Sequence, residues 1–130
     1  MQNAIQHQYL KVQVETASPG ELTLMLYQGM VKSLLVAKSQ FANKQYEAMN
    51  ESLHKVRSII SELMITLDMN YPIAKDLYRL YVFYSGHIAN FMIKREEPML
   101  DEVLEFARGL ADTWKKALQS LNIKSGEVNV

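Results

Sequence analysis

The chain has 130 residues, 48% apolar and 22% charged, with fourteen basic side chains balancing fourteen acidic ones. That length holds one domain with one sizeable core, and a zero net charge gives nucleic acid or an anionic membrane no field to follow. Cysteine is absent, which excludes disulfides and thiolate metal sites and fits a reducing compartment.

Residues 1–16 are polar and Gln-rich, with Ile5, Tyr9, Val12 and Val14 scattered through them. Such a segment cannot build its own core and reads as a flexible N-terminal arm. Its opening, MQNAIQHQYLKVQVE, lacks the basic start and apolar run of a signal peptide. Ser18-Pro19-Gly20-Glu21 is a helix start, with serine as cap, proline in the first helical position and Glu21 closing a capping box. Helix 1 should run from there to about Ala42. Leu22, Leu26 and Gly29 fall on one side of its wheel, while Leu24, Val31 and Leu35 lie roughly 180–220° from Leu22.

Helix 2, about Tyr46 to Leu67, is the most regular: Tyr46, Met49, Leu53, Val56, Ile60, Leu63 and Leu67 recur every three or four residues. Asp68-Met69-Asn70-Tyr71-Pro72 breaks it, and Pro72 opens helix 3. There Ile73, Leu77, Leu80, Tyr84, Ile88 and Phe91 make one stripe, and Tyr78, Val82, Ala89 and Ile93 sit roughly 140–200° away. Glu97-Pro98 opens helix 4, whose acidic first turns suit the positive end of a helix dipole. Its expected buried stripe is Met99, Val103, Phe106, Leu110, Trp114, Ala117 and Leu121, and residues 123–130 read as a frayed, flexible tail. Short connections imply an all-α, antiparallel up-down four-helix bundle over residues 17–122.

The chemistry of catalysis is missing from this pattern. Glu51-x-x-His54 has di-iron spacing but occurs once, on a polar face, where a metal site needs two such pairs and two more glutamates. His54-Lys55 is followed by Val56-Arg57 rather than the small residue a phosphotransfer partner needs to approach. No phosphate-binding glycine loop is present, and the longest stretch without Asp, Glu, Lys or Arg, Leu80–Ile93, is too short to span a bilayer. A cytoplasmic non-enzyme without cofactor is expected. Helices apolar on both faces must be covered on both. The expected partner surface is Leu24, Tyr27, Val31, Leu35, Tyr78, Val82, Ala89 and Ile93. The alternative is a structural homo-oligomer or another helical adaptor, with the second faces closing on a second copy.

The block Thr16-Ala17-Ser18-Pro19-Gly20-Glu21-Leu22-Thr23-Leu24-Met25-Leu26-Tyr27-Gln28-Gly29 closely resembles the flagellar secretion chaperones of the FliS family. Leu67-Asp68, Leu80-Tyr81, Ala107-Arg108-Gly109-Leu110 and Thr113-Trp114-Lys115 follow in order, while Gln28, Gly86-His87 and Phe91-Met92 depart from the family pattern. The resemblance implies a small bundle that holds the disordered C-terminal segment of flagellin, prevents its early polymerisation and helps deliver it to the flagellar type III export gate. It also implies an arm lying over the groove when no client is bound, with Ile5 and Tyr9 in the comparable places. Flagellar regulators are further partners of the family, and a client-free homodimer is the competing way to cover the grooves.

Overall fold

A computed structural model describes the backbone of residues 18–129 and the side chains of residues 18–121. The sequence-predicted arm, with Ile5 and Tyr9, lies outside the described residues. Four helices follow in order: α1 (Pro19–Ala42), α2 (Tyr46–Thr66), α3 (Pro72–Lys94) and α4 (Glu97–Asn129).

The start of α1 is fixed as its sequence predicts. The Glu21 amide donates to Ser18 Oγ at 3.2 Å, and the Ser18 amide donates back to a Glu21 carboxylate oxygen at 3.4 Å. Residues 43–45 reverse the chain, with Lys44 in the left-handed region (φ 59°) and the Gln45 amide donating to the Gln40 carbonyl at 2.8 Å. At the next corner the Asp68 carboxylate accepts from the Asn70 amide at 3.0 Å before Pro72 starts α3. Arg95 (φ 54°) ends α3, its amide donating to the Phe91 carbonyl at 2.7 Å and its guanidinium lying 3.9 Å over the Tyr46 ring. Each turn is short, so neighbours run antiparallel.

The helices form the expected bundle. α1 packs extensively against α2 and α4, and α3 packs less extensively against the same two, leaving α1 and α3 on a diagonal. The core is built from Met30, Leu34 and Ala37 of α1, Met49, Leu53, Val56 and Ile60 of α2, Tyr81, Ile88 and Phe91 of α3, and Leu100, Val103 and Ala107 of α4.

Three sequence expectations shift. In α3 the inner stripe is Ala74, Leu77, Tyr81, Ile88 and Phe91, while Ile73 and Leu80, assigned inward, are exposed. A helix apolar all round gives periodicity no unique inner face, and Tyr81 wins because a hydroxyl partner awaits it across the core. Ala117 and Leu121 are also exposed. α1 begins level with Trp114 and Leu118 (the Trp114 indole bonds the Gly20 carbonyl), so α4 outruns the described part of α1. Finally, α4 remains helical to Asn129, through the stretch read as a tail. One glycine at Gly126 lowers helix propensity by about 1 kcal/mol but removes no backbone donor.

Candidate functional site

The structure separates the predicted partner surface into two halves. On α1, Lys38 pairs with Asp101 of α4 at 2.7 Å, and Val31 lines a cleft with Arg108 and Ala111. The face carrying Leu24, Val31 and Leu35 is therefore the one turned toward α4. Leu24 and Val31 are half-buried there and Val31 packs on the core, while Leu35 stays 42% exposed at the rim. Tyr27 is a correction: it is 3% exposed and belongs to the core. At 100° per residue it sits only about 60° from Met30, on the inward side.

Tyr27 is held inward by partners remote in sequence. Its hydroxyl lies 2.6 Å from that of Tyr81, and its ring meets Trp114 edge-on at 6.2 Å. The Trp114 Nε1 donates to the Gly20 carbonyl at 2.8 Å, satisfying the half-buried indole N–H and tying α4 to α1. Burial pushes both phenols up from their ordinary value. For Tyr27 the bond from Tyr81 partly offsets that; for Tyr81 the same contact adds to it.

On α3 the second face stays open. Ser85 accepts a bond from the Arg57 side chain of α2 at 3.3 Å, so α2 lies on that side. Tyr78, Val82, Ala89 and Ile93 follow about 60–120° from Tyr81 in the same direction. Tyr78 (41% exposed), Val82 and Ile93 (82%) form an uncovered apolar flank along α2, and Ala89 is half-buried between them. The two halves of the predicted surface thus lie on opposite corners of the bundle. A ligand touching both would have to wrap around the bundle.

Sequence reasoning missed a third feature. Where the start of α1, the end of α2 and the start of α3 converge, a cavity of about 510 Å³ opens to the surface. Leu63, Leu67, Ile73, Leu77, Tyr81 and Trp114 supply most of its apolar wall, and Tyr27 closes its floor. Tyr71 and Ile73 of its lining are exposed. Its signal was present in the two helix-opening prolines, Pro19 and Pro72, which place two helix starts at one end. Their convergence is tertiary.

The histidine candidates lie outside both halves of the predicted partner surface and the end cavity. His54 and Glu51 are exposed on α2, and no cluster of three metal-ligating side chains occurs among the described residues. His7 lies outside them. His87 packs between α3 and α4, its Nε2 2.7 Å from a Glu102 carboxylate oxygen but not aligned with it as a hydrogen bond. Among the methionines, Met30 is fully buried and Met64 and Met92 pack against the core, so all three fill gaps. No described helix is long and apolar enough to cross a membrane.

Comparison with known proteins agrees with this architecture. Residues 1–121 match the family described as "Flagellar protein FliS". Similar curated proteins are the flagellar secretion chaperone FliS of Bacillus subtilis, 38% identical over 120 residues (90% of each chain), and that of Vibrio cholerae, 30% identical over 129 residues (94% of this chain and 95% of the other). A solved structure titled "Crystal structure of flagellar chaperone from bacteria" superposes with a TM-score of 0.73 at 20% identity, covering 92% of this chain and 99% of that one. At that identity it supports the fold.

Proposed function

The chain belongs to the FliS family of flagellar secretion chaperones, and on that premise we propose that it is a cytoplasmic export chaperone whose client is the C-terminal segment of flagellin. The observation that carries the reading is the uncovered flank of α3, Tyr78, Val82 and Ile93, on the helix that leaves more large apolar side chains exposed than any other among the described residues. The client segment is disordered alone and folds as it docks, laying apolar side chains along α3 and around to Leu35 and the cleft beside Val31. Binding is helix-in-groove burial and needs no nucleotide or metal.

The magnitudes favour a wrapped client. Burying one large side chain fully gives about 1.5–3 kcal/mol, and the exposed flank is only partly available, so it offers on the order of 4 kcal/mol gross. Ordering a disordered segment costs roughly 2–5 kcal/mol, with association entropy on top. The α3 flank alone is too weak. Adding the 510 Å³ end cavity and the α1 rim brings in the remaining apolar area.

Val82→Asp combined with Ile93→Asp should abolish calorimetric binding of a flagellin C-terminal peptide with far-UV helicity intact; unchanged affinity overturns the groove assignment. Deleting residues 1–14 should speed client binding if Ile5 and Tyr9 cover the groove, and equal on-rates argue against that cover. The rival reading closes the same surfaces in a homodimer. A mass measurement separates them: a dimer that persists with client bound favours the rival. Delivery to the export gate and contact with flagellar regulators would follow from a loaded, export-competent complex.

A further inference from the structure

The opposite side of α3 carries a second groove. It runs between α3 and α4 with a volume of about 640 Å³. Its floor is a stacked pair, Tyr84 on Phe106 with centroids 3.9 Å apart and planes 12° from parallel. Phe83, 57% exposed, stands on one wall with its ring stacked on His87 at 5.5 Å. On the other wall Glu102, Glu105, Gly109 and Thr113 fall within one stripe of α4 about 80° wide. The antiparallel register set by the Tyr84–Phe106 and His87–Glu102 contacts puts exposed Leu80 one turn beyond Tyr84, at the end away from Glu102.

Two features say what fits. Of the eight lining residues only Glu102 and Glu105 are charged, and both are negative, at one end of an otherwise apolar trough. His87 lies against Glu102, and Glu105 makes no ion pair among the described residues. Gly109 stands mid-helix, where glycine is the least favourable residue after proline. A Cβ added there meets nothing within 4 Å, so the packing of this chain does not require it. A bare backbone in a groove wall admits a close-packed helix.

We infer that the α3–α4 groove docks an amphipathic protein helix whose apolar stripe carries Arg or Lys in the turn that meets Glu102 and Glu105. The site does not depend on the client reading, which uses the α2 side of α3, the end cavity and the α1 rim, none of whose lining residues this groove shares. Electrostatic complementarity fixes direction: the basic turn lies at the Glu102 end and the apolar turns run toward Leu80.

The test uses the full chain and two synthetic helical peptides of about 18 residues. One carries a Leu/Phe stripe flanked by arginine in one turn; its twin has glutamate there. At about 0.05 M salt the arginine peptide should bind roughly 10-fold or more tightly than the twin, and the gap should narrow at about 0.5 M. Glu102→Lys with Glu105→Lys should reverse the preference. Gly109→Met, which fills open space, should weaken the arginine peptide at unchanged helicity, while Val82→Asp leaves it bound. Equal affinity for both peptides, indifference to Gly109→Met, or loss of binding in Val82→Asp overturns the proposal. So does displacement of the arginine peptide by the flagellin C-terminal peptide, which would make the groove part of the client track.

Discussion

α1 and α3 share an all-round apolar pattern, yet the bundle consumes one and leaves the other open. α1 is wedged between α2 and α4, so its inward face (Tyr27, Met30, Leu34, Ala37) is sealed and its second face, Leu24 and Val31, is half-covered by α4. α3 touches the same two helices less extensively and keeps Tyr78, Leu80, Val82, Phe83 and Ile93 exposed. Surplus apolar surface is therefore concentrated on one helix, on both its flanks. That arrangement leaves stability to the sealed α1 and gives α3 the free apolar surface that the proposed recognition would use.

The largest contrast should appear in truncations. Leu34→Ala removes a side chain with no exposure from the centre of the core and should cost about 2–5 kcal/mol in urea unfolding. Val82→Ala, at a position 48% exposed, should cost less than about 1 kcal/mol. Equal costs would mean that the α3 flank is buried in solution and would remove the distinction.

The hydroxyl pair that joins the two helices gives a finer probe. Tyr81→Phe strands the buried Tyr27 hydroxyl and should cost about 1–3 kcal/mol, whereas Tyr27→Phe with Tyr81→Phe should recover most of that loss. A double variant as unstable as the sum of the singles would show that the contact carries no coupling. The pair also sets an alkaline limit. Both folded-state pKa values are raised, so the neutral phenols contribute stability that is complete below the unfolded value, about 10. That stability is lost as pH climbs from about 10 toward the folded values, at about 1.4 kcal/mol per pH unit for each phenol that ionises only on unfolding. The double Phe variant should flatten this slope; an unaltered slope would place the titration elsewhere.

These same residues show how far the sequence could be read. The starts of α1, α3 and α4 rest on local chemistry, a capping box at Ser18 and Glu21 and prolines at 19, 72 and 98, and the structure reproduces them. The buried stripe of α2, Met49 to Leu63, was legible because its other face is charged. In α3 there was no such contrast. Choosing Tyr81 over Leu80 requires knowing that a tyrosine 54 residues earlier offers its hydroxyl, and choosing Tyr27 for the core requires the same fact from the other side. The end cavity was illegible for a related reason, since its walls come from all four helices. Amphipathicity reports a helix's preference, and only its neighbours decide which apolar face they take.

The smallest effect tests the outer surface of α3 against the first turn of α1. Gly86 is exposed within α3, and a Cβ there meets nothing within 4 Å, so Gly86→Ala gains helix propensity and reduces unfolded-state entropy without a steric penalty. It should stabilise the bundle by about 0.5–1 kcal/mol. At Gly20 the added carbon would stand 2.9 Å from Leu118 Cδ2, so that side chain must swing aside and part of the gain is lost. Thermal melts should therefore rank Gly86→Ala above Gly20→Ala. The reverse order would mean that α3 is covered at Gly86 by something the described residues do not supply, and the claim that its outer surface faces solvent would fall with it.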